Sequence, residues 1–154
     1  MGVIELEVSR VVHAPISDVF DRLADIEGHN DWMPRKGSML RRTQQTSPGE
    51  PGVGTTYVDR TQAGTFPGEI VEFARPTRLR YHWWSSTKGG RIHMEGWPGY
   101  LLEAKADGTT LVRHDARMNT HGAYRLATPV MRWMATRERT ATVDALQKSF
   151  ERKP

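Results

Sequence analysis

The sequence predicts an α+β fold: one antiparallel sheet of seven strands, two short helices after the first strand, and a long helix at the C-terminal end. Three observations predict it. Residues 3–12 alternate, with Ile4, Leu6 and Val8 on one face and Glu5, Glu7 and Ser9 on the other, the period-two pattern of a half-buried strand. Between Lys36 and about His121, glycine and proline recur at short intervals, which confines the chain to short strands and turns. After Gly122, residues 124–150 hold one proline and no glycine, which leaves room for a long helix opening near Pro129.

Pro15 breaks the first strand and suits the first turn of a helix, where its missing N–H costs nothing. Ile16, Val19, Phe20 and Leu23 then recur at helical spacing, and Asp18 sits in the first turn, where the helix dipole favours an anion. Gly28 ends this helix or separates it from a second short turn carrying Trp32, which Pro34 stops. Six strands are expected between Lys36 and His121, five of them near 55–62, 68–75, 78–85, 91–105 and 110–120, with Gly64, Pro67, Pro76, Gly89-Gly90 and Asp107-Gly108 as breaks. The last helix is expected to bury Val130, Met134, Ala141 and Ala145 together with Val143, Leu146 and Phe150. Short strands joined by tight connections favour an antiparallel sheet.

Two hairpins fix a register. A turn centred between Thr87 and Lys88 sets Tyr81 opposite Met94 and Trp83 opposite Ile92. It also pairs Arg80 with Glu95 and Trp84 with Arg91 on the other face, and His82 with His93. A three-residue loop Ala106-Asp107-Gly108 sets Leu102 opposite Val112 and Tyr100 opposite His114, with glycine where φ is positive.

Composition bounds the function. The chain has 154 residues, the length of a single domain over 1–154. It has no cysteine, which excludes disulfides, thiolate zinc sites and cysteine nucleophiles. The N-terminus lacks the basic and apolar segments of a signal peptide, and no apolar stretch approaches membrane-spanning length, so a cytoplasmic location is the default expectation. Net charge is +4, but the 22 basic residues are scattered among 18 acidic ones, and nucleic-acid binding is not expected. No HExxH, GxSxG, Walker or dinucleotide fingerprint is present, and no cofactor or metal is expected.

The run Val12-His13-Ala14-Pro15, followed by Val19-Phe20, Leu23-Ala24-Asp25 and Trp32, resembles the opening of the SRPBCC (START/Bet v 1-like) superfamily in its polyketide cyclase/dehydrase branch. Gly52-Val53-Gly54-Thr55 before Tyr57, the stretch Phe73-Ala74-Arg75-Pro76-Thr77-Arg78-Leu79, and Gly108-Thr109-Thr110-Leu111-Val112 extend the resemblance over nearly the whole chain. It implies a helix-grip fold, a curved seven-stranded sheet around the long helix, with a cavity between them for a lipid, polyketide or similar apolar molecule. It implies no single reaction, because fold does not fix function.

Strand parity then names the candidate site. If the even positions of the last two strands face the helix, Met94, Tyr100, Leu102, Val112, His114, Ala116 and Met118 line the interior. Leu79, Tyr81 and Trp83 join them from strand five, Tyr57 and Asp59 from strand three, and Met134 from the helix. An aromatic and methionine-rich wall with few polar groups is the usual makeup of a small-molecule pocket, and equally of a solid core. His114 and Asp59 are the candidate catalytic residues, since an imidazole can exchange a proton near neutrality and a buried carboxylate needs a partner, for which Arg10 is a candidate. Met131, Trp133 and Met134 read as core and pocket floor. Trp84, Trp97, Leu101 and Leu111 fall on the outer parity, which points either to a homodimer through that face or to a bulge at Pro98-Gly99 that turns Trp97 inward. The expected function is binding of a hydrophobic small molecule. The alternatives are a cyclase/aromatase using the polar interior and a protein-interaction module.

Overall fold

The computed structural model describes residues 1–151. Seven strands form one antiparallel sheet in the order β1-β7-β6-β5-β4-β3-β2. They are β1 (Gly2–Val12), β2 (Leu40–Gln45), β3 (Thr56–Thr61), β4 (Gly64–Ala74), β5 (Arg78–Ser86), β6 (Ile92–Ala104) and β7 (Thr110–Thr120). The helices α1 (Ile16–Ala24) and α2 (His29–Trp32) carry the chain from β1 at one edge to β2 at the other. A 3-10 turn, Gly122–Ala127, leads into α3 (Thr128–Glu151). This is the helix-grip arrangement.

The β6–β7 hairpin has the expected register, with Leu102 opposite Val112, Tyr100 opposite His114, and Gly108 at φ 85° in its loop. The β5–β6 hairpin is displaced by four residues. Trp83 faces Gly96, Trp84 faces Glu95 and Ser85 faces Met94. The turn closes later than expected, across Thr87–Arg91 with Gly90 at φ 84°, and a bulge follows Ser85. An even displacement keeps every side chain on its face, so the inward set survives while its partners change. Arg80 pairs with Asp115 at 3.1 Å instead of Glu95, and His82 lies beside Trp97 and Glu95 instead of His93. The expected break at Pro67 is also absent: β4 begins at Gly64, and Pro67 lies within the strand opposite Val58.

Inward parity runs unbroken through Trp97-Pro98-Gly99. Trp97 stacks on the outer-face ring of His82, with centroids 4.6 Å apart, and is not turned inward. Pro98 holds its place between β5 and β7 because the β5–β6 ladder is interrupted beside it, where its missing N–H leaves nothing unpaired.

The concave face is filled at one end and hollow at the other. Val12, Val19, Phe20, Leu23, Ile26 and Leu79 pack with Leu102, Val112 and Leu146 into a solid core beneath α1 and the second half of α3. The buried face of α3 is set by Ala135, Thr142, Val143 and Leu146. That phase overturns part of the expected apolar side: Val130 is 60% exposed and Trp133 63% exposed, so neither is core. The sheet grips the later turns of the helix and leaves its first turns projecting.

Gly96 is where the hollow end is most tightly built. Trp83 lies across its backbone, so that a Cβ there would fall 2.7 Å from the indole ring, and Phe66 stacks on the same ring at 5.4 Å between centroids. Gly96→Ala should destabilise the protein by about 1–3 kcal/mol in denaturant unfolding and displace Trp83. An unchanged midpoint would show that the indole has room to move.

Candidate functional site

A cavity of about 340 Å³ occupies the hollow end, within the usual size range for small-molecule sites. Its floor is a tier of three tyrosines, Tyr57 from β3, Tyr81 from β5 and Tyr100 from β6, which belong at once to the core and to the cavity lining. Tyr57 meets Tyr81 edge to face at 5.4 Å. The Tyr81 hydroxyl donates to the Leu23 carbonyl at 2.6 Å, and the His29 imidazole meets the same carbonyl at 2.7 Å. A carbonyl only accepts, so His29 Nε2 carries a proton and α1 and α2 are tied to the floor. Above this tier the walls are Trp83, Phe66, Met94 and Met118 from the sheet and Met131, Met134 and Ala135 from α3. Exposed Ala63 and Met134 mark the mouth.

Of the residues selected from the sequence, Tyr57, Asp59, Tyr81, Trp83, Met94, Tyr100, Met118 and Met134 all border this cavity. His114 does not. It is fully buried behind the wall, stacked on Tyr100 at 4.2 Å, and α3 contributes Arg139 across its outer edge. Its Nδ1 lies 2.8 Å from the Gly99 carbonyl and must carry the proton, which leaves Nε2 as an acceptor facing the Arg139 guanidinium at 3.5 Å. Burial, then the neighbouring Arg139 charge, lowers its pKa to about 3. A group so held does not exchange protons near neutrality, and His114 positions Arg139 instead.

Asp59 finds no partner in Arg10, because Arg10 is taken by Asp144 of α3 at 2.9 Å. The half-buried Asp59 carboxyl faces the cavity beside Thr43. Burial pushes its pKa up to about 6, opposed by a hydrogen bond from Thr43 and by the charge of Arg139. Burial also holds the hydroxyls of Tyr57, Tyr81 and Tyr100 above their ordinary value, so all three are neutral donors.

Sequence reasoning missed Arg139, Phe66 and His29. Arg139 stands four residues after Ala135 and three before Thr142, on the buried side of α3. Among the described residues it makes no salt bridge, whereas the adjacent Glu138 is spent on Ser38 Oγ at 2.5 Å and the Met39 amide at 3.1 Å. The signal was an arginine within the apolar spacing of the helix, legible only once the helix phase was known. The charged groups of the lining are Arg139, Asp59 and Glu138, with Tyr57 and Tyr100 beneath; the rest is mostly apolar, with Thr61, Ser85 and His93 as polar exceptions.

The buried imidazoles make stability pH-dependent. His29 is lowered from 6.5 to about 4, mainly by burial, and His114 to about 3. Each contributes stability that is present above pH 6.5 and lost as pH falls through the folded value. Asp59, raised to about 6, has the opposite sign: its contribution is full below about 4 and lost as pH rises through 6. The two histidines dominate, so stability should fall from pH 6.5 toward 4. His114→Gln, compared by denaturant unfolding at each pH, should lose less than the native sequence over that range. An equal loss would mean His114 does not resist protonation.

The comparisons with known proteins agree with this architecture. The family described as polyketide cyclase / dehydrase and lipid transport matches residues 3–151. No curated protein sequence matches the chain. Among solved structures, the Zhui aromatase/cyclase from Streptomyces sp. R1128 superposes with a TM-score of 0.75 at 15% identity, covering 97% of this chain and 94% of that one. A START superfamily protein from Mycobacterium smegmatis gives 0.71 at 12% identity, covering 96% and 97%. Ara h 8.0201 gives 0.70 at 18% identity, covering 97% and 99%. At these identities the structural likeness shows the fold alone. With the match over residues 3–151, the chain belongs to the polyketide cyclase / dehydrase and lipid transport family.

Proposed function

We propose that this protein binds an amphipathic small molecule, with its apolar body among Trp83, Phe66, Met94 and Met118 and an oxygen-bearing end, carboxylate or enolate, at Arg139. What supports the reading is an arginine that makes no salt bridge among the described residues and lines a mostly apolar cavity. A guanidinium turned to such a space is costly unless something pairs with it, and planar oxygen pairs are what its fork of donors fits. Asp59 does not block the anion. Its pKa near 6 lets it take up a proton as a second negative charge arrives.

A second reading is favoured by the same carboxyl. A group near pKa 6 beside a fixed cation can move a proton from a carbon α to a carbonyl while the cation holds the enolate oxygen. On this reading the ligand is a poly-β-ketone and the step an aldol-type ring closure. Asp59→Asn would then abolish turnover of a poly-β-ketone mimic and leave its binding within a few fold. Equal loss of both would assign Asp59 to binding.

Native mass spectrometry of the purified protein, followed by denaturing extraction, tests the binding reading. A bound acidic amphiphile is the expected result. Trp83→Ala, which removes the largest apolar wall, should weaken a fluorescent fatty-acid probe by about tenfold or more while the protein stays folded. An unchanged affinity would take Trp83, and with it this cavity, out of the binding site.

A further inference from the structure

The first turns of α3 and the 3-10 turn before them carry the most exposed large apolar side chains of the helical segment: Leu126 at 81%, Trp133 at 63% and Val130 at 60%. Leu126, Val130 and Trp133 follow one another at four and three residues and form a single stripe. Trp133 is the one exposed tryptophan among the described residues. Arg125, Arg132 and Arg137 lie beside the stripe in sequence, and none makes a salt bridge among the described residues; the Arg132 guanidinium reaches the Val3 carbonyl at 3.4 Å, and that of Arg137 lies 5.7 Å from the centroid of the Trp133 ring. No aspartate or glutamate occurs between Asp115 and Glu138, and Glu138 itself is bonded to Ser38 and Met39. The segment is therefore apolar and cationic without a compensating acid.

From this surface we propose a docking site for an anionic lipid bilayer, with Leu126, Val130 and Trp133 entering the headgroup–acyl boundary and the arginines on the phosphates. Charge complementarity selects this occupant. A ridge of projecting apolar tips ringed by cations matches an interfacial segment, and no helix among the described residues is long and apolar enough to cross the membrane. The ridge also adjoins the cavity: Tyr124, Met131 and Met134, interleaved with it in sequence, line the pocket wall. A ligand entering there would pass from the acyl layer to the pocket with little exposure to water.

The test uses the intact chain with phosphatidylcholine vesicles prepared with and without phosphatidylglycerol. Expected are partition onto the anionic vesicles, weakening with salt, and a blue shift of Trp133 emission read as the difference between native and Trp133→Phe protein. Arg125→Gln and Arg137→Gln should each lower the partition coefficient about fivefold. Leu126→Ser, at a side chain 81% exposed where folding is not at stake, should lower it further. Trp83→Ala should leave partition unchanged, which separates this surface from the cavity: vesicle binding stands even if the ligand reading fails. The proposal is overturned if the protein does not partition, if partition survives Leu126→Ser and the arginine variants, or if light scattering shows that the stripe is covered by a second copy whose association those variants abolish.

Discussion

The Leu23 carbonyl accepts hydrogen bonds from Tyr81 and His29, and the division of the interior depends on it. A strongly curved sheet offers more concave surface than one helix can cover. The space left over must be filled, collapsed or floored. Here α1 and α2 fill one end, and the tyrosine tier, held to the last turn of α1 through Leu23, floors the rest. Below the tier the packing is that of an ordinary core. Above it, the indole of Trp83 against Gly96 and Phe66 keeps the wall rigid and the space open.

The polar end of the cavity is set by what its neighbours cannot do. His114 cannot take a proton, because Gly99 fixes its tautomer and burial disfavours its charge. Its free lone pair therefore meets Arg139 without neutralising it. Glu138, whose carboxylate accepts from Ser38 and the Met39 amide, makes no salt bridge with it. Asp59 feels the Arg139 charge but makes no ion pair with it. The cation that remains is displayed to the cavity, and the histidine that drew attention in the sequence serves to place it.

Much of this was legible in the sequence, and the losses have physical causes. Strand parity put Tyr57, Tyr81, Trp83 and Tyr100 on the concave face, because a period of two survives even a register displaced by four residues. The β6–β7 register was readable from Asp107-Gly108, since the turn demands glycine there. The β5–β6 register was not, because Gly89-Gly90 permits more than one closure. The α3 face was misjudged at Val130 and Trp133, and Arg139 was overlooked, for one reason. Polar and apolar residues are mixed all round this helix, so tertiary contact with the sheet, and not periodicity, decides which side is buried. Exposed apolar residues on its first turns reflect that the sheet does not reach them.

On the proposed reading, Arg139 gives the cavity its preference for an acidic ligand. Calorimetric affinities of a medium-chain fatty acid and of the alcohol of the same chain length, measured on the native protein and on Arg139→Leu, test it most directly. The native protein is expected to prefer the acid by roughly tenfold or more, the worth of a charge-assisted hydrogen bond, and Arg139→Leu to lose the preference while still binding the alcohol. Equal affinities in the native protein, or a preference that persists in Arg139→Leu, would contradict it.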